Sequence, residues 1–128
     1  MDNQNYTLWQ KLNPKKIYDD LLIDIKGYNK ADTTNMSELE MNKFRHIAGP
    51  AYLTSAVYHP LFVDLLGRGK EFKDQHFQKR GLEDTLYDLE NNKKGIEIGL
   101  ANRNLKGNQK SLFDYIFETE IKPYRKNN

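Results

Sequence analysis

Cysteine is absent from this 128-residue chain. That excludes a disulfide framework, thiolate catalysis, and zinc or iron–sulfur sites with cysteine ligands. No run approaches the roughly 20 consecutive apolar residues that span a bilayer. The polar first residues lack the apolar segment of a signal peptide, so none is predicted. An excess of one charge is also missing. Lys and Arg total 20 against 18 Asp and Glu, for a formal net charge of +2. The balance gives no bulk attraction for nucleic acid, and neither a nucleic-acid nor a membrane partner is expected. Strands with period-two alternation, Asn-Gly hairpins, internal repeats and heptads are not found.

What the chain does contain is helical periodicity. At this length a single domain can bury about two-thirds of its unfolded surface without metal or disulfide staples. The expectation is an all-α, single compact domain of five or six helices around one core. Residues 1–13 read as an N-terminal arm, docked by Trp9. Residues 14–122 read as the helical domain, and 123–128 as a frayed basic tail. Asn13-Pro14 predicts a helix start, with Ile17, Leu21, Leu22 and Ile25 as its stripe up to Gly27. Ser37-Glu38-Leu39-Glu40 matches a capping box, with Leu39, Phe44 and Ile47 on the inner face of the next helix. Gly49-Pro50 predicts a kink or a break there. His59-Pro60 marks a boundary, and Leu61, Phe62, Leu65 and Leu66 continue the apolar surface. Gly67-Arg68-Gly69 predicts a loop or loosened turn, and it lacks the spacing of a phosphate-binding loop. Leu112, Phe113, Ile116 and Phe117 predict a last amphipathic helix ending near Pro123.

The segment from Glu83 to Leu100 carries two stripes. Leu82, Leu86, Leu89, Ile96 and Leu100 form an apolar face. Asp84, Asp88, Asn91 or Asn92, Gly95 and Gly99 form a neighbouring line. Glycine costs about 1 kcal/mol relative to alanine inside a helix, so a solvated stripe would not favour it. Glycines in line with aspartates predict a buried or cleft-lining polar face against which something packs closely. The central helix pair is then 38–58 with 83–100.

Several residues on these elements could carry chemistry. His46 is either a core histidine bonded to a carboxylate, or a general base or metal ligand oriented by Asp84 or Asp88. Asp84 and Asp88 lie one turn apart, where two like charges repel unless a cation, Arg45 or protonated His46 compensates. With Glu71 they make an oxygen-rich set for Mg²⁺, Mn²⁺ or Ca²⁺. Alternatively, Asp84 only complements the helix N-terminus. Glu71, just after the glycine turn, is a candidate general acid. One amide of Asn91-Asn92 falls on the polar stripe and could bond a crossing helix.

Arg45-His46, Leu66-Gly67 with Lys70-Glu71, and Asp84-Thr85-Leu86-Tyr87-Asp88-Leu89-Glu90-Asn91-Asn92 with Gly95 resemble small helical virion-associated proteins of tailed bacteriophages. The set is also similar to a bacterial helical domain with Arg-His and Asp-Leu-x-Asn-Asn-x-x-Gly helices. The resemblance covers about residues 38–102. It departs after His46, where Gly49-Pro50-Ala51-Tyr52 replaces an aromatic-rich segment. It implies a phage or bacterial source and a virion or host-cytoplasm location, and it assigns no reaction.

Three functions follow as expectations. The first is a phage-encoded virion-associated or accessory protein that acts through contacts with protein partners such as other virion proteins, its helices fixed by a His46–Asp88–Asn92 network. The second is a hydrolase of phosphodiesters or peptidoglycan glycan, with His46 as base, Glu71 as acid, and Asp88 with Asp84 orienting the histidine or holding a divalent cation. The third is a small inhibitor of a host protein, which would need an exposed apolar patch around Trp9, Tyr6 or the Phe113–Phe117 helix.

Overall fold

The computed structural model describes residues 6–31, 34–77, 82–103 and 108–126. The described residues form seven α-helical segments: α1 (Leu8–Lys11), α2 (Pro14–Ala31), α3 (Glu38–Ala56), α4 (Pro60–Phe77), α5 (Leu82–Ala101), α6 (Gln109–Ile116) and α7 (Lys122–Lys126). A π-helical turn, Phe117–Ile121, joins the last two. No strand occurs among the described residues, as the sequence predicts.

α3 is the axis of the molecule and touches α2, α4, α5, α6 and the π turn. It begins at a capping box: Ser37 Oγ accepts from the Glu40 amide, and Glu40 Oε1 accepts from the Ser37 amide. The helix runs through Gly49-Pro50 without a break. Its inner face is Glu40, Phe44, Ile47, Ala48 and Ala51. Leu39, expected inside, is 74% exposed, because the cap orients the first turn so that Glu40 faces inward instead.

One core cluster joins Leu21, Ile25 and Tyr28 of α2 to Phe44, Ile47 and Tyr52 of α3, and to Leu112, Phe113 and Ile116 of α6. Tyr28, Phe44 and Phe113 pack as a triad with ring centroids 5.3 to 5.7 Å apart. A second cluster forms at the other end of α3 from Ile17, Leu53 and Val63, with Tyr6 and Ile96 against it.

Two elements run longer than their glycines suggest. α2 continues past Gly27, which is exposed and open, to seat Tyr28 in the core. α4 passes through Gly67-Arg68-Gly69 as regular helix, where a loop or loosened turn is predicted. Leu61, Phe62 and Leu65 point outward from it, and among its described side chains Val63 is the buried one.

The arm is held differently from expectation. Trp9 is 83% exposed and docks nothing. Tyr6 does so instead, its hydroxyl 2.9 Å from that of the buried Tyr52, while the Tyr58 hydroxyl donates to the Lys11 carbonyl at 2.6 Å. Burial raises the pKa of the Tyr52 hydroxyl far above its ordinary value, and the bond to Tyr6 adds to the shift. At the other end, residues expected to fray form α7. Arg125 there donates to Glu40 at 2.7 and 3.0 Å and to the Thr34 carbonyl at 3.1 Å.

Candidate functional site

α5 buries its polar stripe and leaves much of its leucine stripe outside. Asp88, Asn91, Gly95, Ile98 and Gly99 are buried, whereas Leu86 is 57% and Leu100 44% exposed. The glycines explain the inversion. A Cβ at Gly95 would collide with the Ile47 carbonyl and the Pro50 ring. At Gly99 it would lie 2.5 Å from the Ala51 carbonyl oxygen and 2.8 Å from Thr54 Cβ. Two helices that approach this closely must meet backbone to backbone, and only glycine permits that. The contact runs in the same sense along both helices, Gly95 on Ile47 and Gly99 on Ala51, so α3 and α5 are parallel. α4 returns between them.

One and two turns before Gly95, the crossing closes over Asn91 and Asp88. Asp88 is 1% exposed, and its Oδ1 lies 3.5 Å from His46 Nε2. That is an ion-pair separation, too long for a strong hydrogen bond. The His46 side chain is 14% exposed. Proline at position 50 has no amide hydrogen for the carbonyl of His46, four residues earlier, so the main chain beside the pair lacks its helical partner. Asn91 Nδ2 and Thr54 Oγ1 are buried without a hydrogen-bond partner, which marks this crossing as costly to form.

Asn92 faces another way. Its amide packs on α4, where a Cβ at Gly67 would sit 2.6 Å from Nδ2. Gly67 is therefore a close-approach residue inside a helix. Arg45 is half-buried, and its guanidinium donates to Asn42 Oδ1 at 3.2 Å.

His46, Arg45, Asn92 and Gly67 all border one open pocket of about 310 Å³. Pro14 and Tyr18 of α2, Pro50 and Leu53 of α3, and Val63 and Leu66 of α4 form its apolar walls, and Lys15 stands at its edge. The sequence gives no local sign of these wall residues, because three helices supply them and each lies on a different stripe. Only the Asn13-Pro14 helix start hints that α2 begins at a defined place.

Ile96 packs on the cluster that holds Val63, and Gly67 meets Asn92. One further turn of this antiparallel register brings position 71 level with position 88. The side chains of Glu71 and Asp84 lie outside the described residues. Among the described residues no group of three or more His, Asp or Glu could hold a metal ion. No described helix is long and apolar enough to cross a membrane. The chain matches no protein-family model and shows no significant match to a curated protein or a solved structure.

Proposed function

We propose that this chain is a helical accessory protein that works through contacts with other proteins, of the kind that tailed phages encode for the virion or the host cytoplasm. The observation that carries this reading is an exposed apolar surface built by α1 and α4. Leu8 and Trp9 of α1 and Leu12 at its C-cap are 67 to 83% exposed, and Leu61 and Leu65 of α4 are 70 and 65% exposed. Tyr58 joins the two elements, bonding Lys11 of α1 and packing on Phe62 of α4 with centroids 4.9 Å apart. Clustered large apolar side chains at the surface mark interaction sites, whereas single ones do not. The same face would serve an inhibitor of a host protein.

The test is a Trp9→Ser, Leu61→Ser, Leu65→Ser variant. Its melting temperature should match wild type, because the three side chains touch little. It should lose any partner that wild type cross-links in the producing cell. If the variant retains that partner, the face has no such role.

A hydrolase is the second reading, favoured by one observation: His46 borders an open pocket with Asp88 behind it. His46 would serve as base, Glu71 as acid, and Asp88 with Asp84 would orient the histidine or hold a divalent cation. Asp88→Asn separates the two readings. For a packing role it should cost roughly 1–3 kcal/mol in urea unfolding, since a buried partner is left unsatisfied. Wild-type stability together with loss of phosphodiester or glycan cleavage would favour the enzyme.

A further inference from the structure

We infer that the pocket between α2, α3 and α4 binds a small amphipathic anion: a single carboxylate or phosphate on an apolar body. Its size sets the body. About 310 Å³ holds on the order of ten non-hydrogen atoms at the ~30 Å³ that a water-sized group occupies. Ligand sites of this kind are concave and apolar with a few placed polar groups. Here Tyr18, Pro50, Leu53, Val63 and Leu66 supply the apolar part.

The described side chains on the pocket carry charge of one sign. Among the described residues, the basic side chains that line it are Lys15, Arg45 and His46, and no described carboxylate joins them. Asp88 is buried behind His46 and is not one of the lining residues. Among the described residues the Arg45 side chain donates only to Asn42, on its own helix. Its guanidinium therefore has donors to spare, in a planar fork suited to a carboxylate or phosphate. Lys15 is tied to Asp19 by a 2.8 Å bridge between exposed side chains, a contact weak enough to exchange for a ligand. It stands in the first turn of an 18-residue helix, whose dipole adds to the positive field. An apolar body would lie against Leu53 and Val63 with its anion at Arg45 and Lys15.

This site is separate from the protein-contact face. α4 turns Val63 and Leu66 toward the pocket and Leu61 and Leu65 away from it. The two ideas can fail independently.

Methyl and indole NMR titrations with decanoate, decyl phosphate and decanol test the inference. The three probes share a body and differ in charge. At least one anion should bind about 10- to 100-fold more tightly than decanol, the size of one charge-assisted hydrogen bond. Shifts should appear at Leu53, Val63 and Leu66, and not at the Trp9 indole. Whichever anion binds more tightly identifies the head group. An Arg45→Gln, Lys15→Gln double variant, checked for a wild-type melting curve, should bind anion and alcohol alike. The inference is overturned if neither anion saturates, if decanol binds as well as both anions, if the double variant keeps the preference, or if the shifts centre on Trp9 and Leu61.

Discussion

At the scale of single residues, this protein's glycines divide into two kinds. Gly95 and Gly99 lie against the backbone of α3, whereas Gly27 and Gly69 have nothing within 4 Å of where a Cβ would stand. The same substitution should therefore have opposite signs. Gly95→Ala should destabilise by about 1–3 kcal/mol, because the carbonyl of Ile47 cannot move without moving α3. Gly69→Ala should stabilise by up to about 1 kcal/mol, the ordinary helix preference for alanine. Urea midpoints for the two variants check both, and equal shifts would mean that the crossing is looser than described. The sequence made the Gly95–Gly99 stripe legible because glycine in line with aspartate has no solvent-side rationale. It did not separate Asn91 from Asn92. One is buried on that stripe and the other borders a pocket, and a single residue step decides between them.

At the scale of elements, local chemistry was readable and tertiary reasons were not. The Ser37–Glu40 cap can be seen in four residues, and it starts α3 where expected. Gly67-Arg68-Gly69 reads locally as a break, yet α4 continues through it with Gly67 close against the Asn92 amide, and that contact lies on another helix. Pro123 likewise suggests an end, but the π turn before it lets the helical path continue into α7. That continuation carries Arg125 to Glu40, whose carboxyl is held below its ordinary value of 4.5, chiefly by the Arg125 bonds and also by the Ser37 amide. A carboxylate with a lowered folded pKa contributes stability above the ordinary value and loses it as pH falls through the lowered one. Arg125→Gln should cost about 1–2 kcal/mol near pH 7, the low side of a charge-assisted pair because Arg125 is 41% exposed. Between neutrality and about pH 3, wild type should lose more stability than the variant. Parallel pH dependences would show that another carboxylate governs the acid limb.

At the scale of the whole molecule, order is concentrated on α3. Its residues from Ile47 to Leu53 are all buried, whereas α1 buries none and is held by the Tyr6 and Tyr58 hydroxyls. Native-state hydrogen exchange should rank the elements accordingly. Amides of α1 should exchange by local opening, and those of Ala51 to Leu53 only on global unfolding. Equal protection in both would contradict the ranking. A surface helix that exposes Leu8 and Trp9, with Leu12 at its cap, and has little anchorage can reorient on a partner at small cost, which suits the contact role proposed for it.

The bonds that close the shell around α3 join distant parts of the chain. Tyr28 reaches Asp114, Asp24 reaches Gln109, and Glu40 reaches Arg125, each across 85 or 86 positions. During synthesis, α2 to α5 emerge before any of these partners exists. The aromatic face of Tyr28 and Phe44 stays open until Phe113 arrives. A ribosome adding about 5–20 residues per second leaves that face uncovered for several seconds. In that interval the chain is a sticky intermediate, and the arrival of α6 is what ends its exposure.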